Sequence, residues 1–386
     1  MNFLSEVKSK LANNVKNLVG WRTTRKIVVF SVDDYGNVRL DSKEARQRMD
    51  EAGVEAQNRF DRLDTLETRE DLEMLYETLR SVKDKNGRHA VFTPFALPCN
   101  INFEKVVESG FNEYHYELLT ETFQKLSVQQ PEAYKGAWEM LEQGIEEGLM
   151  VPQFHGREHL NLKVFEEKLA EKDPEIISML KNRSYTGISN SNYSTISQMA
   201  AFDFWTLNEN ERFDDIIRDG LNSFEEVYGY RSDHFTPPAG REHPTIHKAL
   251  RENGINYIDT PLIKKEHQGE GEYKKIFNYT GKRSREGHYF IVRNVVFEPI
   301  DPRGFDWVDY SMKQIEAAFR WNRPAIISSH RVNFCGHIDP ENREKGLGAL
   351  RELLKRIIDK WPDVEFLSSD RLGDLIANKK TFKDQV

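Results

Sequence analysis

Apolar residues occur along this chain in short unbroken runs, separated by longer segments of helical periodicity. The first run, Ile27 to Val32, contains a single polar residue and ends at two adjacent carboxylates. A run without alternation is typical of a strand that is covered on both faces, as in the parallel sheet of an α/β protein. Further strand-like runs follow at 90–95, 151–154, 234–235, 255–259, 290–297, 325–329 and 364–367.

Helical periodicity fills most of the spaces between these runs. The predicted helices are 42–52, 69–83, part of 103–126, 131–147, 213–228, 244–253, 311–321 and 345–360. Repeated strand and helix units without a break in composition predict one β/α barrel-like domain rather than two. Two segments depart from the pattern and are predicted to be insertions: 162–200 mixes helical pattern with Ser, Asn and Tyr, and 262–289 is a Gly- and Lys-rich loop or hairpin.

The first 25 residues form a separate segment, predicted to be an amphipathic basic helix. Its apolar residues recur at helical spacing among basic ones: Leu4, Val7, Leu11, Val15 and Leu18, with Lys8, Lys10, Lys16, Arg22, Arg25 and Lys26. Such a helix can lie on an anionic membrane surface or dock a partner, although packing on its own domain is the commoner outcome. The segment lacks the features of a secretory signal, so we expect a cytoplasmic protein. The barrel domain is then expected at 26–375, followed by a polar tail at 376–386.

Composition and charge narrow the function classes. With 38% hydrophobic and 31% charged residues in a chain of 386, we expect a globular protein with a large core. The net charge of −8 argues against nucleic acid as a partner, because phosphate binding needs a concentrated basic face. Two cysteines provide no disulfide framework. The oligomeric state is left open.

Polar residues with chemical potential collect where the predicted strands end. Asp33 and Asp34 follow the first strand, His155 with His159 the third, and His330 the strand at 325–329. Barrels and open α/β sheets place their chemistry at the carboxyl ends of strands. Neighbouring strand residues point to opposite faces, so the two Asp can converge only if the strand terminates at or just after them.

Two histidines and one carboxylate are a known ligand set of catalytic zinc sites. His155 and His159 are four residues apart and would share a face if a helix begins there. His243 and His247 form a second pair with this spacing, but His243 opens a helix after a Pro-rich turn and is predicted to lie on the outer surface. The alternatives to a metal site are an Asp-rich turn and two structural histidines.

Four motifs, in order and spacing, resemble the polysaccharide deacetylases of the NodB-homology type, carbohydrate esterase family 4, across most of residues 26 to 375. Ser31-Val32-Asp33-Asp34-Tyr35-Gly36 resembles the family's Thr-Phe-Asp-Asp-Gly, and His155 with His159 resembles its His-x-x-x-His. Phe235-Thr236-Pro237-Pro238-Ala239-Gly240 resembles Phe-Arg-Pro-Pro-Tyr-Gly, and Ile326-Ile327-Ser328-Ser329-His330 resembles the last motif, an apolar strand that ends in histidine. The resemblance implies a distorted (β/α)7 barrel of the TIM-barrel-like, NodB-homology type.

The resemblance also implies a role for each matching residue. Asp33 would be the catalytic base and His330 the general acid. A divalent metal ion, most often Zn²⁺, would be held by Asp34, His155 and His159. Substrate contacts are expected from Pro238, Ala239 and Arg331.

Two departures from the family pattern affect these roles. The arginine of the third motif, which pairs with the catalytic Asp, is Thr236 here, and the tyrosine is Ala239. Without that arginine the catalytic Asp would lose a partner that orients it and lowers its pKa, unless Arg231, Arg241 or Arg331 reaches in from elsewhere. Asp259, at another strand end, is the candidate to tether His330.

The resemblance implies a metal-dependent hydrolase that removes acetyl groups, most often N-acetyl, from a glycan or glycan precursor. A non-catalytic carbohydrate-binding protein is the alternative, favoured by the missing arginine and disfavoured by retention of Asp33 and His330. A metal-dependent enzyme that acts on another amide or ester is a third hypothesis.

Overall fold

The computed structural model describes residues 10–378. Its strands are β1 (Lys26–Tyr35), β2 (Phe92–Ala96), β3 (Cys99–Ile101), β4 (Tyr116–Leu118), β5 (Gln153–Phe154), β6 (His234–Phe235), β7 (Tyr257–Asp259), β8 (Ile263–Gly269), β9 (Glu272–Phe277), β10 (Tyr289–Ile291), β11 (Val295–Val296), β12 (Ala325–His330) and β13 (Val364–Phe366). Its α-helices are α1 (Lys43–Glu51), α2 (Arg59–Leu63), α3 (Arg69–Arg80), α4 (Phe103–Glu108), α5 (Leu119–Gln129), α6 (Pro131–Tyr134), α7 (Ala137–Glu146), α8 (Leu162–Ala170), α9 (Pro174–Lys181), α10 (Phe213–Tyr228), α11 (His247–Glu252), α12 (Trp307–Arg320), α13 (Pro340–Lys360) and α14 (Ser369–Ile376).

The main sheet closes on itself. Its strand order is β10-β7-β6-β5-β2-β1-β12-β11, and every neighbouring pair is parallel. Because β10 and β11 are successive parts of one extended segment, 289–296, the path returns to its start. The result is a ring of seven parallel strands, with β13 added beside the beginning of β1. The predicted distorted (β/α)7 barrel is confirmed.

The lower part of the barrel interior is filled by apolar side chains, and its upper part is polar. Alternate residues of β1 point inward, so that Val29 packs with Tyr257, Ile291 and Ile326. Helix α14 covers the amino ends of the strands, and its Gly373 lies so close to the Tyr257 ring that a Cβ would be 2.5 Å from it. The interior of the barrel is therefore closed at the amino ends of the strands and opens toward their carboxyl ends.

Most predicted elements are present, with shifted ends. The predicted helix 69–83 is α3, which begins at a capping box from Thr68 to Asp71. The predicted helix 131–147 is two helices, because Gly136 adopts a φ of 81° between them. Segment 262–289 contains the antiparallel hairpin β8–β9, and segment 162–200 contains α8 and α9. The short β3–β4 hairpin was not predicted.

Residues 10–15 are helical and lie against the outside of the barrel. The contact is made by asparagines: Asn13 and Asn17 are buried, and Asn17 Oδ1 accepts a hydrogen bond of 2.8 Å from Asn294 Nδ2. Leu11 and Val15 instead face outward. The rest of the predicted apolar pattern at 1–9, like the tail beyond 378, lies outside the described residues. Within 10–378, every helix is too short or too polar to cross a bilayer.

Candidate metal centre and active site

Strand β1 ends in a backbone irregularity that presents two adjacent carboxylates to the cavity. Its register with β2 shifts between Val32 and Tyr35, and Asp34 has a φ of 77°. On a regular strand Asp33 and Asp34 would point to opposite faces, whereas the shift and the left-handed residue bring both to the same cavity. A positive φ at a non-glycine residue costs about 1–3 kcal/mol and is concentrated at functional sites.

Gly36 is required by the turn that follows. Its own φ is 76°, and a Cβ at this position would lie 2.5 Å from the carbonyl oxygen of Leu97. Its N–H donates to the Glu67 carboxylate at 3.1 Å. The turn is therefore fixed by backbone packing and by a buried acceptor, which holds Asp34 in its strained conformation.

Asp34, His155 and His159 form the one cluster among residues 10–378 whose donor atoms are arranged for a metal ion, and all three are buried. Asp34 Oδ1 lies 3.5 Å from His155 Nε2 and 3.3 Å from His159 Nε2. Burial alone would raise the pKa of Asp34, but the two imidazoles hold it well below its ordinary value. The predicted ligand set is thus brought together.

The donor orientation fits a cation at this position. His155 Nδ1 lies 2.7 Å from the Thr236 carbonyl oxygen, to which it must donate, so in the neutral ring Nε2 carries the lone pair. That Nε2 is buried and has no hydrogen-bond partner within 10–378. Ligands about 2.1 Å from a tetrahedral zinc ion are roughly 3.4 Å apart, close to the two distances from Asp34. A divalent cation would satisfy the unpaired nitrogen and the carboxylate together.

The two histidines do not share a helix. Residues 155–160 form a loop in which Gly156 has a φ of 111°, and α8 starts only at Leu162. The two rings lie 5.3 Å apart, at an angle of 64°. The condition of a helix that begins at His155 is therefore not met, and the loop brings the two rings together instead. His243 and His247 stay apart from this group: His243 caps its own 3-10 turn, and His247 Nε2 pairs with Glu242 at 3.0 Å.

Asp33 is held by an arginine from the segment between β10 and β11, two strands away from β1 in the ring. Arg293 Nη1 and Nη2 donate to its two carboxylate oxygens at 2.6 and 2.7 Å. The same guanidinium donates from Nε to Asp259 at 2.7 Å, and it lies 4.9 Å from the centre of the Phe95 ring. This planar bidentate contact orients Asp33 in the way that the family's third-motif arginine would.

A second layer of hydrogen bonds completes this pairing. Thr236 Oγ1 donates to Asp259 at 2.8 Å and accepts from Arg293 Nη2 at 3.0 Å. The other oxygen of Asp259 lies 3.1 Å from His234 Nε2, whose Nδ1 is 2.9 Å from the hydroxyl of Ser369 on α14. Burial alone would raise the pKa of Asp259, but Arg293 and His234 hold it well below its ordinary value.

None of the three arginines considered as replacements reaches Asp33. Arg231 donates to the carbonyl of Asn253, and Arg241 lies over the ring of Tyr273. Arg331 is 1% exposed, opens the 3-10 turn that follows β12, and does not line the cavity. Its partners are Asp64 and Glu67, at 3.0 and 2.8 Å. The expected substrate contact of Arg331 is therefore wrong. A signal for Arg293 was present, as the one charged residue early in the apolar run 290–297.

His330 is held by a carboxylate other than the expected one. Its Nδ1 lies 2.6 Å from Glu298 Oε1, while Asp259 is occupied by Arg293, His234 and Thr236. His330 Nε2 is 3.8 Å from Asp33 Oδ2. Burial would lower the pKa of His330, but Glu298, with Asp34 and Asp33, outweighs this and raises the pKa to about 9. Arg59 and Asn333 bind the second oxygen of Glu298.

These groups line one open cavity of about 400 Å³. Its polar wall comprises Asp33, Asp34, Arg39, His155, His159, Thr236, Asp259, Thr260, Arg293, Ser328 and His330. Its apolar wall includes Phe60, Met199, Pro237 and Pro261. Ala239, with a φ of 55°, is exposed and lines the cavity, and its substrate contact stays a prediction, whereas Pro238 is buried and does not line the cavity.

Fold and site together define a (β/α) barrel whose cavity, at the carboxyl ends of the strands, holds a buried Asp-His-His cluster beside a paired Asp and His. Those are the residue types and the location of a metal-assisted hydrolytic site.

No protein-family model and no curated protein sequence matches the chain. Similar solved structures include a candidate polysaccharide deacetylase from Mycobacterium smegmatis, at 12% identity and a TM-score of 0.44, with 94% of each chain covered. Puue allantoinase is matched at 10% identity and a TM-score of 0.45, also over 94% of each chain. A 4-alpha-glucanotransferase from Thermococcus litoralis is matched at 11% identity and a TM-score of 0.44. The match covers 92% of this chain and 41% of the glucanotransferase chain. Polysaccharide deacetylases are the family that the sequence motifs resemble, but these distant likenesses leave the activity to be argued from the site itself.

Proposed function

We propose that this chain is a metal-dependent hydrolase that removes acetyl groups, most often N-acetyl, from a glycan or glycan precursor. The observation that carries the proposal is the buried, unpaired Nε2 of His155 beside Asp34, in the same cavity as Asp33 and His330. Structural histidines would be expected to have both ring nitrogens paired, because an unsatisfied buried polar atom costs about 1–3 kcal/mol.

Asp34, His155 and His159 would hold the ion, for which Zn²⁺ is our proposal because two imidazoles and one carboxylate are among its common catalytic ligand sets. When bound, such an ion lowers the pKa of water and polarises a carbonyl group. The hydrogen bond from His155 Nδ1 to the Thr236 carbonyl fixes the tautomer that leaves Nε2 free to ligate.

The protein's own groups would move the protons. Asp33, oriented by Arg293, accepts a proton from the water that attacks the acetamide carbon. The C–N bond then breaks, and His330 Nε2 donates its proton to the leaving nitrogen, so that acetate and a free amine are formed. Because Gly240 N–H already donates to Pro237 and Pro238 has no N–H, Ala239 N–H is the donor that the turn can offer to the carbonyl oxygen.

The shape of the cavity supports a sugar as the acyl carrier. Phe60 and the two prolines give it flat apolar surfaces, while Arg39, Thr260 and Ser328 supply polar groups outside the metal ligands and the catalytic pair. A site of this kind can cover the C–H face of a pyranose ring and bind its hydroxyl groups.

A carbohydrate-binding protein without turnover is the second candidate function. Its main support was the missing third-motif arginine, and Arg293 weakens that support. The missing third-motif arginine does not leave Asp33 without a partner, since Arg293 supplies a bidentate pair. The Glu298–His330 pair would also be superfluous in a protein that only binds.

The test is metal analysis combined with acetate release from a panel of acetylated chito-oligosaccharides. The wild type and the control His243→Ala are expected to carry stoichiometric metal and to release acetate, and His155→Ala to do neither. The control removes a histidine of the second four-residue pair, which lies outside the cluster. Metal without acetate release from any glycan would favour the binding protein, and equal metal in all three proteins would refute the ligand assignment.

A further inference from the structure

Exposed large apolar side chains are concentrated on one part of the surface. Among residues 10–378 ten such side chains are exposed, and six of them lie on the N-terminal segment or at the base of the β8–β9 hairpin: Leu11, Val15, Leu18, Val19, Ile263 and Phe277. Monomeric proteins rarely leave a contiguous apolar patch of this kind without a function. We call these six residues the apolar face.

The N-terminal helix is docked in the reverse of the usual orientation. An amphipathic helix normally buries its apolar side, but here Asn13 of the helical residues 10–15 and Asn17 just after them are buried, while Val15 is 53% exposed and Leu18, beyond the helix, is 42% exposed. The docking is specific, because Asn14 Oδ1 accepts from Trp321 Nε1 at 2.9 Å. Arg323 donates to the carbonyl oxygens of residues 17, 18 and 20, which end this segment. The outward position of the apolar residues is thus held by hydrogen bonds.

The hairpin base continues the same surface. Val19 lines a small cleft together with Leu262 and Tyr279, and Trp21 N–H donates to the Thr280 carbonyl at 2.7 Å. Ile263 and Phe277 are paired directly across the hairpin and are 59% and 52% exposed. The helix and the hairpin base therefore present apolar side chains side by side.

Basic residues border the apolar face, although the whole chain carries a net charge of −8. Lys265 and Lys275 are exposed and directly opposite one another, two residues along from the Ile263–Phe277 pair. Like charges at opposed positions destabilise a hairpin unless a negative group lies nearby. Lys10 and Arg22 are also exposed, and none of these four forms an ion pair within 10–378.

We propose that this surface binds the interface of an anionic lipid bilayer, with the apolar face inserted among the acyl chains and the four basic side chains on the lipid phosphates. An apolar stripe flanked by unpaired Lys and Arg is the pattern of interfacial membrane helices. A second copy of this chain is a poorer occupant, because it would bring the same positive charges to the contact. This surface lies outside the catalytic cavity, so the proposal is independent of the reaction.

The test is cosedimentation of the full chain with vesicles of phosphatidylcholine alone or mixed with phosphatidylglycerol. We expect binding to the mixed vesicles only, weakened by added salt because the charges are solvent-exposed. The double variant Val15→Glu/Leu18→Glu should lower the partition coefficient by about tenfold or more, since it removes two inserting side chains and adds two negative charges. Lys265→Glu/Lys275→Glu should also weaken binding.

The matched control is Val107→Glu/Val128→Glu, which adds the same charge at exposed valines remote from the apolar face in sequence and in the fold. It should keep wild-type binding. Absence of binding to the mixed vesicles, or an equal loss in control and test variants, would overturn the proposal. So would a dimer in sedimentation velocity that Val15→Glu/Leu18→Glu dissociates without any vesicle binding, since that would assign the face to self-association.

Discussion

The two adjacent carboxylates at the end of β1 have opposite surroundings. Both oxygens of Asp33 are paired with Arg293, whose third donor position is paired with Asp259, so this half of the cavity is complete in itself. Asp34 faces two imidazoles, and His155 Nε2 has no hydrogen-bond partner among the described residues. The ion pairs around Asp33 are therefore complete, whereas the cluster around the left-handed residue Asp34 still lacks a ligand.

The difference indicates that the two halves of the cavity have different roles. The closed half is the ion-pair network of Asp33, Arg293 and Asp259, and the open half is the cluster of Asp34, His155 and His159. A closed network of buried charges fixes geometry, because each member is held by several partners. An open set of donor atoms binds something from solution, because burial makes an unpaired nitrogen costly. We accordingly expect substitutions in the open half to abolish ligand binding and chemistry, and substitutions in the closed half to affect stability as well as rate.

The largest effect is expected from Asp34→Asn. The change removes the anionic ligand while keeping the size of the side chain, so metal content should fall to background in elemental analysis. The acetate-release rate should fall by about a thousandfold or more, since a metal ion supplies several kcal/mol of transition-state stabilisation. A variant that retains stoichiometric metal, or a wild-type enzyme whose rate survives exhaustive chelation, would break the distinction between the two halves.

Arg293→Met should cause the largest loss of stability. It leaves Asp33 and Asp259 buried without their shared cation, and removal of one partner from such a pair costs about 3–5 kcal/mol. The measurement is the free energy of unfolding from denaturant titration, together with the rate. The double variant Arg293→Met/Asp259→Asn is the control and should recover part of the loss, because it removes one of the two orphaned charges. No recovery would mean that Arg293 acts through packing on Phe95 alone.

The sequence predicts the site residues at the strand ends better than it predicts the partners that hold them, and the reason is physical. Asp33, His155 and His330 stand out because each directly ends an apolar run, which is a local pattern. The partner of Asp33 is not local: Arg293 reaches it only because the segment 289–296 closes the ring between β7 and β12. Proximity along the chain misled at Arg331, because the 3-10 turn that begins at this residue directs its side chain to Asp64 and Glu67.

The docking of the N-terminal segment was out of reach for a similar reason. Its periodicity predicts an amphipathic helix, but not which side meets the barrel. That choice depends on Asn294 and Trp321, which accommodate asparagines in place of apolar side chains.

Glu298→Gln should produce an intermediate effect, visible in the pH dependence. Removing the anion beside His330 should lower its pKa from about 9 toward its ordinary value of 6.5, so the basic limb of the rate profile should move to lower pH. At neutral pH the rate should fall by about 10- to 100-fold, as the acid is both less protonated and less well oriented. Glu298→Asp keeps the charge and should retain the limb at high pH.

The same pair predicts a pH-dependent contribution to stability. The pKa of His330 is raised in the folded state, so the stabilisation is fully present below pH 6.5 and is lost as the pH rises through about 9. Burial alone would raise the pKa of Glu298, but His330 and Arg59 lower it, so its contribution is fully present only above its ordinary value of 4.5. Denaturant titrations of wild type and Glu298→Gln should therefore differ most between pH 4.5 and 6.5 and converge above pH 9. A constant difference would show that Glu298 stabilises the fold by hydrogen bonding alone.

Thr236→Val should have the smallest effect on stability and rate. It separates the role of the Thr236 hydroxyl from that of the Thr236 backbone carbonyl. The hydroxyl belongs to the closed half, where it bridges Asp259 and Arg293, while the backbone carbonyl serves the open half by accepting from His155. Valine removes only the hydroxyl, and Asp259 keeps Arg293 and His234, so the cost should be about 1 kcal/mol, the value of one hydrogen bond. Metal content should be unchanged, and the rate should fall only several-fold if Arg293 alone orients Asp33. A loss as large as that of Arg293→Met would instead make Thr236 the residue that holds the arginine in place.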